Sequence, residues 1–214
     1  MKSIIVISLL LLLTSFNSYS QVDDKQAQAI LDKVAAKLKT YQNMKYEFSY
    51  RMIDKAHKVD NKLQGTIVMK GEMYNLNIMG RNVVNDGKTV WTYDADAQEI
   101  QISHAADSKE GFSFLKLLTS MNKDHKAKLI KTVKEGNVEF YIVDITPIKG
   151  KSYFKVRLKI NKAKLWVDSA TIYEKNNVEY EFTVIKFTTN LTLPATYFQL
   201  NPAKFPDAEV VDLR

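Results

Sequence analysis

Apolar residues recur at intervals of three and four from Ala27 through Ile30, Leu31, Val34, Leu38 and Tyr41. That spacing predicts an amphipathic helix, with Lys25, Lys33, Lys37 and Lys39 on or near its wet side. Asp23 and Asp24 stand where its N-terminus would be capped. From Met44 the period drops to two. Met44, Tyr46, Phe48, Tyr50 and Met52 alternate with Lys45, Glu47, Ser49 and Arg51, the pattern of a half-buried strand. Leu63, Gly65, Ile67 and Met69 continue it, and Tyr74, Leu76 and Ile78 form a third strand. Val83-Val84 and the run 89–93 flank Asp86-Gly87, a tight-hairpin signal, and 99–102 follows another turn. A second helical stretch then interrupts the strands. Its Phe112, Phe114, Leu115, Leu117, Leu118 and Met121 exceed what one helix face needs. Strands resume at 129–133, 138–145, 153–160, 165–173 and 178–187, each rich in Val, Ile, Phe and Tyr.

About eleven strands with short connections imply an antiparallel meander, and one domain, since no linker or composition shift divides the chain. One apolar face of so large a sheet must be covered. A curved sheet with helices over its mouth fits the inventory and leaves room for an apolar cavity. The expected fold class is therefore α+β, mainly β: a strongly curved antiparallel sheet with an N-terminal helix and a short helical stretch as a lid over its mouth. The candidate lining is Tyr46, Phe48, Tyr50 and Met52, then Tyr74, Leu76 and Ile78, then Trp91 and Tyr93, and finally Phe140, Tyr180 and Phe182. Leu31, Val34 and Leu38 of the first helix, with Phe112, Phe114, Leu115, Leu118 and Met121 of the second, would form the lid. Alternation alone fits a filled core as well as a lined cavity.

The N-terminus reads as an address. Lys2 precedes the apolar run 4–13, and Ser18-Tyr19-Ser20 offers small residues on either side of Tyr19 for cleavage. A signal peptide over 1–20 and a mature domain over 21–214 are expected, with an uncleaved anchor as the alternative. Cysteine is absent from the 214 residues, which excludes disulfides, thiolate metal sites and a lipidated N-terminal cysteine. The exported domain must then be stabilised by its own core.

Composition is otherwise ordinary, with 45% hydrophobic and 26% charged residues. The +7 net charge is dispersed over turns and strand faces without a basic helix or an RNA-binding signature, so nucleic acid is not an expected partner. No Gly-rich phosphate loop, HExxH or Gly-x-Ser-x-Gly elbow occurs. His57, His104 and His125 sit in polar, turn-like surroundings. The stretch 94–98 begins like a calcium loop but has Glu99 where the sharp turn needs glycine and Ala105 where a bidentate glutamate belongs. Asn190-Leu191-Thr192 is a sequon by pattern only. Neither a cofactor, a metal nor an enzymatic activity is expected. Paired carboxylates exist for an enzyme reading, for example Asp94 with Asp96, but no cleft residue stands out.

The segment Asn85-Asp86-Gly87-Lys88-Thr89-Val90-Trp91-Thr92-Tyr93-Asp94, preceded by 65–70, resembles the hairpin motif of the LolA family of periplasmic outer-membrane lipoprotein carriers. The ending, Phe198-Gln199-Leu200-Asn201-Pro202 through Glu209-Val210-Val211-Asp212-Leu213-Arg214, is similar to that of Bacteroidetes-type members. The resemblance implies a half-open antiparallel β-barrel of about eleven strands with an N-terminal helix and a short helical lid over an apolar cavity, serving as a monomeric periplasmic carrier of lipoprotein acyl chains. An inner-membrane ATP-driven transporter would load it, and an outer-membrane acceptor would unload it. A related sensor that binds lipid or lipoprotein without transferring it is the alternative. Family members often carry a Lys-Arg-Pro-like sequence after the second strand, its arginine associated with lid closure. Here the stretch is Lys70-Gly71-Glu72-Met73-Tyr74, so Gly71 takes the arginine's place, and Arg51 or Arg81 would have to supply a substitute.

Overall fold

The computed structural model describes residues 18–107 and 125–214. The expected second helix with Phe112, Phe114, Leu115, Leu118 and Met121, and the apolar run 4–13, lie outside the described residues.

The first helix, α1, spans Ser18–Leu38. It begins ahead of the expected cap at Asp23-Asp24 and has no acidic residue in its first turn. Extending a nucleated helix costs little, so a capping preference does not stop one when the residues before it tolerate helix. Its other end closes where the Thr40 hydroxyl donates to the Lys37 carbonyl at 2.7 Å.

Eleven strands match the eleven expected. They are β1 (Met44–Asp54), β2 (Val59–Lys70), β3 (Met73–Ile78), β4 (Arg81–Asn85), β5 (Thr89–Asp94), β6 (Glu99–His104), β7 (His125–Glu135), β8 (Val138–Pro147), β9 (Tyr153–Asn161), β10 (Trp166–Glu174) and β11 (Val178–Thr189). A twelfth, β12 (Glu209–Asp212), pairs in parallel with β6 and is not foreseen by the sequence pattern. Four residues of mixed polarity carry no periodic signal. All twelve form one open sheet in the order β12-β6-β5-β4-β3-β2-β1-β11-β10-β9-β8-β7. The central joint is between β1 and β11, where Tyr46 faces Phe187 and Tyr50 faces Phe182.

Register assigns the faces. On one side, α1 packs against β7 and β10. There Ala27, Ile30, Leu31, Val34 and Leu38 meet Val143, Ile145, Val156, Leu158, Ile160 and Ala170, all buried. On the same face, Tyr46, Phe48, Ile67, Met69, Tyr74, Leu76, Val83 and Val90 form a second cluster. Among the described residues its neighbours come from the sheet itself and from Ala105. Met44, Phe182 and Phe187 touch both clusters. The opposite face of β4–β6 has a cover of its own. Val84, Ile100 and Ile102 are buried beneath Leu200, Phe205 and Ala208 of the C-terminal segment.

Candidate lipid-binding face

The helix-side face is lined by rings along the β1–β11 joint. Tyr46 and Phe187 lie with centroids 4.5 Å apart, Tyr50 and Phe182 at 5.0 Å, Tyr50 and Tyr180 at 5.9 Å, and Phe48 and Phe182 at 6.3 Å. Tyr41 and Trp166 reach Phe187 edge-on at 5.8 and 5.0 Å. Antiparallel pairing places these side chains opposite one another, and β-branched and aromatic residues suit that position. The row is set in low dielectric. Burial pushes the Tyr50 hydroxyl up to about 12, helped by Tyr180 and Glu174. Tyr46 and Tyr180 are raised as well, chiefly by burial.

Gly65 makes room for one of the rings. A Cβ there would stand 2.7 Å from Phe48 Cζ and 2.9 Å from the Asn77 carbonyl oxygen. The absence of a side chain lets Phe48 lie across β2.

Nine of the twelve candidate lining residues share this face: Tyr46, Phe48, Tyr50, Met52, Tyr74, Leu76, Ile78, Tyr180 and Phe182. Three do not. Trp91 and Tyr93 pair with Ile102 and Ile100 on the tail side, and Tyr93 lies 4.2 Å from Phe205. Strand β5 carries Val90 on the helix side and Trp91 and Tyr93 on the tail side, so its parity cannot be assigned without knowing what the C-terminal segment covers. Phe140 faces away as well. It pairs with Val133, and Lys159 Nζ sits 4.3 Å above its ring. Of the lid residues, Leu31, Val34 and Leu38 are buried against the helix-side face.

Sequence reasoning misses Val156, Leu158 and Ile160, whose alternation with Lys155, Arg157 and Lys159 is visible but whose aliphatic side chains stand out less than the aromatics. It also misses Phe187. The pairing Phe48↔Val184 gives way to Glu47↔Lys186, so Ile185 is an extra residue that reverses parity along β11. Nothing in a single sequence announces that bulge.

The polar candidates are accounted for by structure. Gly71 has φ +58° in the β2–β3 turn, a conformation that favours glycine over arginine. Arg51 grips Asp60 through two hydrogen bonds, at 2.8 and 2.7 Å, and reaches Glu181 at 3.3 Å. Arg81 donates to Asp94 at 2.8 Å. Asp94 also accepts from the backbone N–H groups of Asp96 and Ala97, and its carboxyl is held low chiefly by Ala97, with Arg81 and Asp96 adding to the effect. Asn190 of the sequon accepts from Gln42 N at 2.9 Å. His57 bonds Asp54 at 2.7 Å, and His125 Nε2 bonds the Tyr153 hydroxyl at 2.8 Å. Among the described residues no group of His, Asp or Glu could hold a metal ion, and no helix is long and apolar enough to cross a membrane.

A recess of about 620 Å³ opens mainly on the tail side, between Gln64, Thr66, Asn77, Asn82, Tyr93 and Phe205. Its lining mixes these amides with Phe48, Ile78, Met79 and Ile185. The ring-lined face suits hydrocarbon, since burying apolar surface is worth about 25 cal/mol per Å² only where no polar group is stranded.

Comparison with known proteins agrees with this architecture. The family model described as outer membrane lipoprotein carrier protein LolA matches residues 39–201. An outer-membrane lipoprotein carrier protein of Dechloromonas aromatica (strain RCB) is 27% identical over 177 residues, covering 80% of this chain and 83% of that one. Among solved structures, an uncharacterized conserved protein from Thermus thermophilus superposes with a TM-score of 0.59 at 16% identity, over 87% of this chain and 99% of the other. The Mycobacterium tuberculosis lipoprotein LppX gives 0.50 at 12% identity, over 80% and 100%. Those two likenesses concern the fold. With the family match spanning most of its length, this chain belongs to the LolA family of outer membrane lipoprotein carrier proteins.

Proposed function

We propose that the chain is exported to the periplasm, cleaved after Ser20, and carries the acyl chains of lipoproteins from the inner to the outer membrane on its helix-side face. An ATP-driven inner-membrane transporter would supply the cargo, because extraction needs energy and this chain has no nucleotide-binding motif. An acceptor at the outer membrane would take it. The observation that carries the reading is the continuous apolar face shared by the two clusters and joined by Met44, Phe182 and Phe187.

The energetics demand such a face. Each CH₂ withdrawn from water is worth about 0.8 kcal/mol, so a chain of about sixteen carbons carries on the order of 12 kcal/mol when exposed. A carrier must bury that surface and then give it up. Helix α1 provides the alternative cover, since Leu31, Val34 and Leu38 occupy the same face that hydrocarbon would. In this reading the helix moves aside for the cargo.

The test is to isolate the exported protein and identify co-purifying lipid or lipoprotein by mass spectrometry. Ile78→Asp, at a half-buried site at the end of β3, is then assayed for capture. Acylated cargo on the natural protein and its loss from a folded Ile78→Asp variant are expected. An empty natural protein that takes up no acylated peptide would refute the carrier. Capture without delivery to outer-membrane vesicles would favour the sensor.

A further inference from the structure

Three turns are neighbours at one end of the sheet, because β2, β1, β11, β10, β9 and β8 are consecutive in it. They are 55–58 between β1 and β2, 175–177 between β10 and β11, and 148–152 between β8 and β9. Two contacts stitch them together. Lys55 Nζ meets Glu179 at 2.6 Å, and Lys175 N donates to the Ser152 carbonyl at 3.0 Å. The three turns carry Lys55, Lys58, Lys149, Lys151 and Lys175 and no carboxylate, and all five lysines are exposed. Lys58, Lys149, Lys151 and Lys175 have no ion-pair partner among the described residues. Ion pairs do form on the neighbouring strands, Lys159 with Glu135 at 2.6 Å, Arg157 with Asp144 at 2.7 Å and Lys162 with Glu139 at 3.2 Å, while Lys126, Lys128, Lys131 and Lys134 of β7 have none among the described residues. The described turns at the opposite end mix Lys39, Lys88, Lys162 and Lys164 with Glu72, Asp86 and Asp107.

Two large apolar side chains project among these lysines. Ile148 is 58% exposed in the β8–β9 turn, and Phe154 is 47% exposed just after it. Phe154 lies 6.1 Å from Tyr173, whose ring also carries Lys155 Nζ at 4.2 Å. Apolar tips ringed by unpaired cations match the boundary between phosphate headgroups and acyl chains, where the cations meet anionic lipid and the tips enter the hydrocarbon edge.

We propose that this end of the sheet is a docking surface for anionic lipid bilayers. The aliphatic and aromatic tips of Ile148 and Phe154 insert at the interface, and the lysines of the three turns contact the headgroups. The surface stands apart from the ring-lined face, so it does not depend on the carrier reading. For a carrier it would fix which end meets the membrane.

The experiment uses the exported protein, its N-terminus verified by intact mass, in sedimentation with vesicles of phosphatidylethanolamine containing a quarter phosphatidylglycerol, and with phosphatidylcholine vesicles as the neutral control. Binding to the anionic vesicles alone is expected, weakened by salt. Each lysine contributes about five-fold near such a surface, so Lys149→Ala with Lys151→Ala should weaken binding about thirty-fold. Ile148→Ser with Phe154→Ser should abolish the part of binding that survives high salt. Lys70→Ala with Lys88→Ala, at the opposite end, should leave binding unchanged. Equal binding to both vesicle types, or equal loss from the two lysine pairs, overturns the proposal. So does binding that ignores the turn variants and disappears in Ile78→Asp, which reports uptake of single lipids rather than docking. Retained melting temperatures show that the variants are folded.

Discussion

Gly65→Ala tests the packing of the candidate face most directly. The added methyl would lie 2.7 Å from Phe48 Cζ, 2.9 Å from the Asn77 carbonyl oxygen and 3.2 Å from Ile78 Cβ. The ring could swing to relieve the first contact, but Phe48 is 4% exposed and already packs toward Phe182. The second contact is with the backbone of β3, which the pairing of Gly65 with Ile78 and Thr66 with Asn77 holds in place. Overpacking a filled site costs about 1–3 kcal/mol, and a clash against backbone places this one in the upper half, about 2–3 kcal/mol. For a domain of this size that lowers the melting temperature by roughly 4–12 °C. Circular-dichroism melts of Gly65→Ala, Phe48→Leu and the double variant close a cycle. Leucine has no Cζ, so the two changes should couple by about 0.5 kcal/mol or more, the double variant being more stable than the sum predicts. A Gly65→Ala melt within about 1 °C of the natural protein, or a cycle without coupling, would show that Phe48 does not depend on Gly65 for its place.

Asn43→Ala should cost about 2–4 kcal/mol in a denaturant titration, because Asn43 is buried and exchanges two 2.8 Å hydrogen bonds with the N–H and carbonyl of Leu191, both left without that partner by the change. Loss of stability with alkali is expected from the ring row. The Tyr50 pKa is raised from 10.0 to about 12 in the folded state, so its contribution is whole below pH 10 and disappears as pH climbs through about 12. Tyr50→Phe should move the alkaline unfolding midpoint upward, followed by near-ultraviolet circular dichroism, and an unmoved midpoint would exclude Tyr50 as a contributor.

The strands are legible because one face of each is uniformly dressed. In β1 every second residue from Met44 to Met52 is large and apolar, and all five fall on one side. The same reasoning fails where both sides are covered. Val90 and Trp91 are adjacent, both apolar, and belong to different clusters. In β8 the run Phe140, Tyr141, Ile142, Val143 likewise serves two faces, with Tyr141 and Val143 toward the helix and Phe140 under Lys159. Periodicity reports that a strand is buried on a face. It does not report which of two coverings supplies the burial, and a distant tail such as Leu200–Phe205 leaves no mark on the strand it shelters. The extra residue Ile185 is a second such case, since its effect lies in the partner's register and not in its own chemistry.

Met44, Phe182 and Phe187 are the side chains that belong to both clusters, and the strands beneath them are held by an uninterrupted antiparallel ladder apart from one bulge. A substitution at any of these three would therefore disturb the packing of both clusters at once, whereas Leu31 belongs to one of them and Leu76 to the other. The two halves of the sheet share one seam of side chains as well as one ladder of backbone bonds.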